Sequence, residues 1–205
     1  MHLELLPKTS VEILAYLSSN LFESFTVRQI ARGIGQDYRI TYDMTKRLAE
    51  QRYVIAEKRK PATYCRLNLK GNASLLAYIE GIRTSRFLAK RRNVAILVND
   101  ILEKITSPFF TMLVFGSYVR GKASKTSDLD VLFVIPDRKL DIEISSAIGS
   151  VERISPIGIH EVTLTSNDFM GLMREKKSNV ALEALNNRVV PYGAEPLFKM
   201  LEAIM

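Results

Sequence analysis

Two hydrophobic runs joined by a glycine-bearing polar loop constrain this chain more than any other feature. Thr111 to Phe115 reads as a buried-type strand and Gly116-Ser117 as a turn. Leu129 to Ile135 reads as a second strand, opened by Asp128 and Asp130. Side chains two apart on a strand share a face, so the two carboxylates stand side by side. Adjacent carboxylates repel and are costly to hold together unless a cation sits between them. Hard oxygen donors converging on one point suit Mg²⁺, which takes one or two carboxylates and completes its shell with substrate phosphates. Across the loop, the Gly116-Ser117 turn offers backbone N–H groups and a hydroxyl to a triphosphate. The combination predicts metal-assisted phosphoryl or nucleotidyl chemistry.

Gly116-Ser117, ten intervening residues and Asp128-Leu129-Asp130 resemble the core motif of the DNA polymerase β-like nucleotidyltransferases, especially their minimal single-domain members. The resemblance covers roughly Phe109 to Leu201. It implies NTP as substrate and two Mg²⁺ ions held by Asp128 and Asp130 as catalytic residues. Gly116, Ser117 and Ser127 would bind the nucleotide, and Arg120 and Lys122, with Lys125 beside them, would meet phosphate oxygens. The family also carries a third carboxylate on a later strand. Ile157 to Thr165 reads as such a strand, and Glu161 falls where that acid is expected, as metal ligand and as help in deprotonating the acceptor hydroxyl. Because His160 precedes it, a one-residue change of register would turn Glu161 away from the site. His160 itself is read as a strand-face histidine, since no cluster of Cys or His accompanies it.

The composition, 47% hydrophobic and 25% charged over 205 residues, is that of a globular chain long enough for two small domains. No apolar run approaches the roughly 20 residues that span a bilayer, and the N-terminus lacks the pattern of a signal peptide. A single cysteine, Cys65, cannot form an internal disulfide. A reducing cytoplasm is the expected location. The formal charge of +7 is unevenly placed: residues 1–107 hold 18 Lys and Arg against 10 Asp and Glu, whereas residues 108–205 hold 11 against 12. A basic half on an otherwise neutral protein points to a polyanionic partner.

That basic half shows three helical segments: Val11 to Phe22 with Ser10 as N-cap, Thr26 to Gly33, and Tyr38 to Arg52 with an apolar stripe of Ile40, Met44, Leu48 and Ala49. Two strand-like runs follow, Tyr53 to Glu57 and Tyr64 to Leu69, around a basic turn. The order resembles a winged helix-turn-helix domain over roughly Ser10 to Leu69. In such a domain the third helix enters the major groove and the wing touches phosphates. Arg39, Thr41, Tyr42, Thr45, Lys46 and Arg47 would be offered by the helix, and Lys58, Arg59 and Lys60 by the wing.

The expected fold class is α/β of the α+β kind, a nucleotidyltransferase-type mixed sheet flanked by helices and preceded by a winged-helix domain. The expected division is 1–71 for the DNA-binding-type domain, 72–85 for a helical linker with a bend near Gly81 to Ser85, and 86–205 for the catalytic-type domain opened by a helix from Arg86 to Ile105. Three functions fit: a nucleotidyltransferase whose winged helix binds double-stranded DNA, an antitoxin-type protein adenylyltransferase acting on a toxin partner, and a nucleotide-sensing transcriptional regulator with little or no turnover. The oligomeric state is left open by the sequence, although winged helices that read palindromes work as homodimers, and no membrane partner is expected.

Overall fold

The computed structural model describes residues 6–175 and 177–204. The chain begins with helices α1 (Lys8–Ser19), α2 (Val27–Ile34) and α3 (Tyr38–Glu50). A short strand β1 (Phe25–Thr26) lies between the first two, and the hairpin β2 (Val54–Arg59) and β3 (Ala62–Leu67) follows. These strands form an antiparallel sheet in the order β1-β3-β2. Local chemistry sets the boundaries. Thr26 caps α2 in a capping box with Gln29, and Gly35 closes that helix at a left-handed φ of 63°. The Asp37 carboxylate caps α3 by accepting from the backbone N–H groups of Arg39 and Ile40. Ser10 does not cap α1. The helix starts at Lys8 and buries Ser10 in its first turn.

Helix α3 is rotated relative to the stripe expected from sequence. Thr41, Thr45 and Leu48 face the core, whereas Ile40 is exposed beside Tyr38 and Tyr42. Thr41 is wholly buried, and its hydroxyl donates to the Asp37 carbonyl oxygen at 2.8 Å, which is how a threonine is tolerated there. Thr41 and Thr45 are therefore removed from the surface that was expected to meet DNA. Arg39, Tyr42, Lys46 and Arg47 remain exposed on α3, as do Lys58, Arg59 and Lys60 on the hairpin. Lys58 and Arg59 belong to β2 itself, and the turn is Lys60-Pro61. Arg59 ion-pairs with Glu57 on the same strand.

Cys65 sits in the middle of β3, opposite Phe25 and Ala56, with no exposure. Burial pushes its thiol up to about 11. The thiolate is the reactive form, so only about one molecule in a thousand carries it at pH 8. Native protein should resist alkylation by iodoacetamide at pH 8 and react stoichiometrically once unfolded in guanidinium. Rapid labelling of the native state would contradict this burial.

The remaining helices and strands are α4 (Ala73–Ala89), α5 (Arg92–Lys104), β4 (Thr111–Phe115), α6 (Gly116–Val119), β5 (Leu129–Ile135), α7 (Asp141–Glu152), β6 (Ile159–Thr165), α8 (Ser166–Arg174), α9 (Val180–Asn186), β7 (Val189–Tyr192) and α10 (Ala194–Ile204). Their sheet has the order β6-β5-β4-β7, with β5 and β6 parallel and the other pairs antiparallel. A parallel pair needs a crossover, and α7 supplies it. The result is the expected mixed α/β architecture with helices on both faces of the second sheet. One face carries Met112, Val114, Val131 and Phe133 against α5 and α7. The other carries Leu113, Phe115, Leu132 and Val134.

The segment expected as a linker is the greater part of α4, which runs unbroken past Gly81 and Thr84 to Ala89. The helix break falls at Lys90-Arg91 instead. Residues of α1, β2, β3, α4, α8, α9 and α10 and the second face of the larger sheet share one continuous apolar core. Glu12 of α1 holds Arg86 of α4 through two hydrogen bonds of 2.7 and 3.0 Å. Among the described residues, no helix is long and apolar enough to cross a membrane.

Candidate active site

The chain leaves β4 at Phe115 and turns at Gly116, whose φ is 73°. That left-handed backbone is open to glycine at little cost. A second constraint acts at the same atom: a Cβ built on Gly116 would lie 1.9 Å from the Asp130 carboxylate oxygen Oδ2. Asp130 thus rests directly against the turn. Asp128 is held likewise, because a Cβ on Gly158 would lie 2.2 Å from its Oδ1. The N–H of Leu129, between the two acids, donates to the Gly158 carbonyl oxygen at 2.8 Å and ties the start of β5 to the approach of β6. Two glycines from separate loops thereby give the two carboxylates their room. Gly116→Ala should cost about 1–3 kcal/mol in backbone strain and displace Asp130, lowering the denaturation midpoint. An unchanged midpoint would refute the close approach.

Strand register decides what joins these acids. Asp130 lies between Phe115 on β4 and His160 on β6, whereas Glu161 pairs with Val131. Laterally paired residues point to the same face. His160 therefore shares the carboxylate face, and its Nδ1 lies 3.1 Å from Asp130 Oδ1. Glu161 points to the opposite face, where it accepts hydrogen bonds from Ser145 of α7 at 3.5 Å and Thr163 at 3.0 Å. Glu161 is not brought to the site, which corrects its expected role as third ligand and catalytic group. The signal was in the strand's apolar members: Val162 and Leu164 pack into the core on the carboxylate side, and stepping back by two reaches His160. Gly158 had no signal in the sequence, since its need for space arises only from the packing of Asp128.

The loop between Gly116 and Asp128 is ordered by its own hydrogen bonds. The backbone N–H of Lys122 donates to the Ser117 carbonyl oxygen at 2.9 Å. The Ser124 N–H donates to Ser127 Oγ at 2.9 Å, and Tyr118 Oη donates to the Ser127 carbonyl oxygen at 3.2 Å. Ser117 and Ser127 are both partly buried next to Gly116 and Asp128 respectively. Arg120 pairs with Glu183 of α9 at 3.8 Å, and so leans over the helix that packs on the carboxylate face. Lys122 is exposed. Lys125 is parted from these two and lines a cleft with Lys90 and Arg92.

Whether Mg²⁺ fits is a question of charge and donors. Among the described residues, neither Asp128 nor Asp130 has a Lys or Arg partner, and the only ionic neighbour of Asp130 is His160. Two hard carboxylates with no protein cation between them match what Mg²⁺ requires of a protein when substrate phosphates supply the rest. Among the described residues, no group of three or more His, Cys, Asp or Glu is placed to hold a metal. No curated protein and no solved structure matches the chain. Residues 97–185, which run from within α5 to α9 and carry Gly116, Asp128, Asp130 and His160, match the family model of the nucleotidyltransferase domain.

Proposed function

We propose that this protein is a Mg²⁺-dependent nucleotidyltransferase that moves a nucleoside monophosphate from an NTP to a hydroxyl acceptor. The observation that carries the reading is the pair Asp128 and Asp130, seated on Gly158 and Gly116 with no Lys or Arg partner among the described residues, inside the segment that matches the nucleotidyltransferase domain. Asp128 and Asp130 would hold two Mg²⁺ ions, which when bound neutralise charge on the triphosphate and on the attacking and leaving oxygens. The Gly116-Ser117 turn and Ser127 would position the β- and γ-phosphates, with Arg120 and Lys122 reaching phosphate oxygens, so that pyrophosphate leaves in line with the incoming hydroxyl. His160, bonded to Asp130 Oδ1, would fix which way that carboxylate points.

The test is incubation of purified protein with each α-³²P-labelled NTP and Mg²⁺, using cell lysate as the source of acceptors. Transfer of label to a discrete acceptor supports the reading, and the labelled band names the acceptor class, including a protein acceptor of the antitoxin type. Saturable NTP binding without transfer over long incubation would replace it with the nucleotide-sensing regulator.

The N-terminal module is read as a winged helix that binds double-stranded DNA. What supports this is the excess of basic residues in that half and the exposure of Arg39, Tyr42, Lys46 and Arg47 on α3 beside a hairpin bearing Lys58, Arg59 and Lys60. Phosphate contacts make such binding steeply salt-dependent, each contributing about 0.9 to the log–log slope on duplex DNA. Changing Lys58, Arg59 and Lys60 together to Ala should weaken duplex binding and flatten that slope by about 1–3 units. An unchanged slope would remove the hairpin from the interface.

A further inference from the structure

The break between α4 and α5 places three consecutive basic residues at a surface cleft on the flank of the sheet end that bears the carboxylates. Lys90, Arg91 and Arg92 line it with Lys125 from the 116–128 loop, and Tyr118 and Ile157 complete its walls. The cleft encloses about 620 Å³, and no acidic residue lines it. Among the described residues, none of the four cations makes an ion pair. Arg91 is instead fixed by stacking on Phe87, with its guanidinium 4.4 Å from the ring centroid. Four like charges converging without a counter-charge repel one another, and a ligand carrying several negative charges relieves that repulsion. The first turn of α5 opens onto the same space, since Asn93 and Val94 also line it and the N-cap residue Arg91 makes no side-chain capping bond. Free backbone N–H groups there add to the attraction for phosphate.

The position of the cleft separates it from the triphosphate site. Tyr118 and Ile157 pack with the core on the α5 and α7 side of the sheet, whereas Asp130 and His160 project from the other face. Ile157 nevertheless directly precedes Gly158, on which Asp128 rests. A ligand that occupies the cleft and also presents a hydroxyl at the carboxylates must run round the end of the sheet. A mononucleotide seated on the carboxylates does not; a single nucleic-acid strand does, and basic grooves track such strands through their phosphates. We propose that the cleft holds the phosphate backbone of a single-stranded nucleic-acid acceptor. The proposal deepens the nucleotidyltransferase reading and rests on it for the word acceptor, but binding of the strand can be measured without any transfer.

The test is fluorescence anisotropy of 5′-labelled 12-nucleotide RNA and DNA single strands with the full chain, compared with its Lys90→Ala/Arg92→Ala variant. Both residues are exposed, so the fold is not at stake. The variant should lose at least tenfold in strand affinity, and its slope of log affinity against log salt should fall by about 1.4, or about 0.7 per lost contact on a single strand. Binding of a fluorescent NTP, read in parallel, should be unchanged. A wild type that binds neither strand, or a variant that binds strands as tightly as wild type, overturns the proposal. So does a variant that loses NTP binding while keeping the strand, because the cleft would then seat the triphosphate. Failure of the wild type to bind NTP would sink the nucleotidyltransferase reading and leave the strand measurement standing.

Discussion

Replacing Arg188 with Ala should lower the unfolding free energy by about 3–5 kcal/mol, the scale on which removing one partner from a buried ionic network acts. Arg188 and Glu80 are both wholly buried, with 0% exposure. The guanidinium lies 3.5 Å from Glu80 Oε2 and donates to the Leu185 carbonyl oxygen at 2.8 Å and the Ser18 carbonyl oxygen at 3.3 Å. Glu80 also accepts from Arg83 at 2.6 Å and from the Ser18 hydroxyl at 3.2 Å. Burial pushes the Arg188 guanidinium down to about 10, opposed by the nearby Glu80 carboxylate. It is therefore still protonated at neutral pH, and Glu80 is its counter-charge. Truncating the arginine leaves Glu80 with Arg83 as its remaining cation and opens a cavity beside Phe198, over whose ring Arg188 lies. The double change Arg188→Met/Glu80→Leu should recover part of the loss, because apolar residues of similar volume can replace a buried pair at little cost, while Arg83 keeps its bond to the carbonyl oxygen of residue 188. Guanidinium denaturation of the three proteins checks this. A loss under about 1 kcal/mol in the single variant would mean that the pair is not buried as described.

The same network crosses the boundary between the two segments suggested by the sequence. Ser18 belongs to α1, Glu80 and Arg83 to α4, and Arg188 leads into β7, so the network joins the N-terminal helices to the larger sheet. The segment read as a helical linker is helical, though without the expected bend, and the hydrophobic runs placed β4 and β5 as strands. Local pattern carries that much because helix and strand periods are local properties. What it did not carry depends on partners distant in sequence. Nothing near Arg188 announces a buried counter-charge 108 residues away. Helix α7 was overlooked, although Ile144, Ala147, Ile148 and Val151 have helical spacing and are buried. The face of β6 was legible only from Val162 and Leu164, since Ile157 and Ile159 belong to the opposite phase and pack on the other side.

Substitutions on β5 and β6 test that phase. Asp130→Asn should reduce nucleotidyl transfer on the order of 10³-fold or more, the scale on which a principal charge partner of a transition state acts. The substitution keeps the shape that fits against Gly116 while removing the negative charge, so the fold should hold and the denaturation midpoint should not drop. Glu161→Gln should leave transfer within about threefold of wild type, because the carboxylate bonds Ser145 and Thr163 on the far face of the sheet and an amide oxygen can accept in its place. His160→Ala should fall between the two, about 10–100-fold, the range seen when a group orienting a metal ligand is lost. It lies 3.1 Å from Asp130 Oδ1 and would orient that carboxylate without replacing it. Parallel measurement of metal binding, by quenching of a bound fluorescent NTP on titration with Mn²⁺, separates a lost ligand from a misplaced acceptor. Asp130→Asn should weaken the metal response and Glu161→Gln should not. The reverse ranking, with Glu161→Gln as damaging as Asp130→Asn, would require β6 to be shifted by one residue. Such a shift would place Val162 and Leu164 against α7 and Glu161 beside Asp130, and would expel two apolar side chains from the shared core.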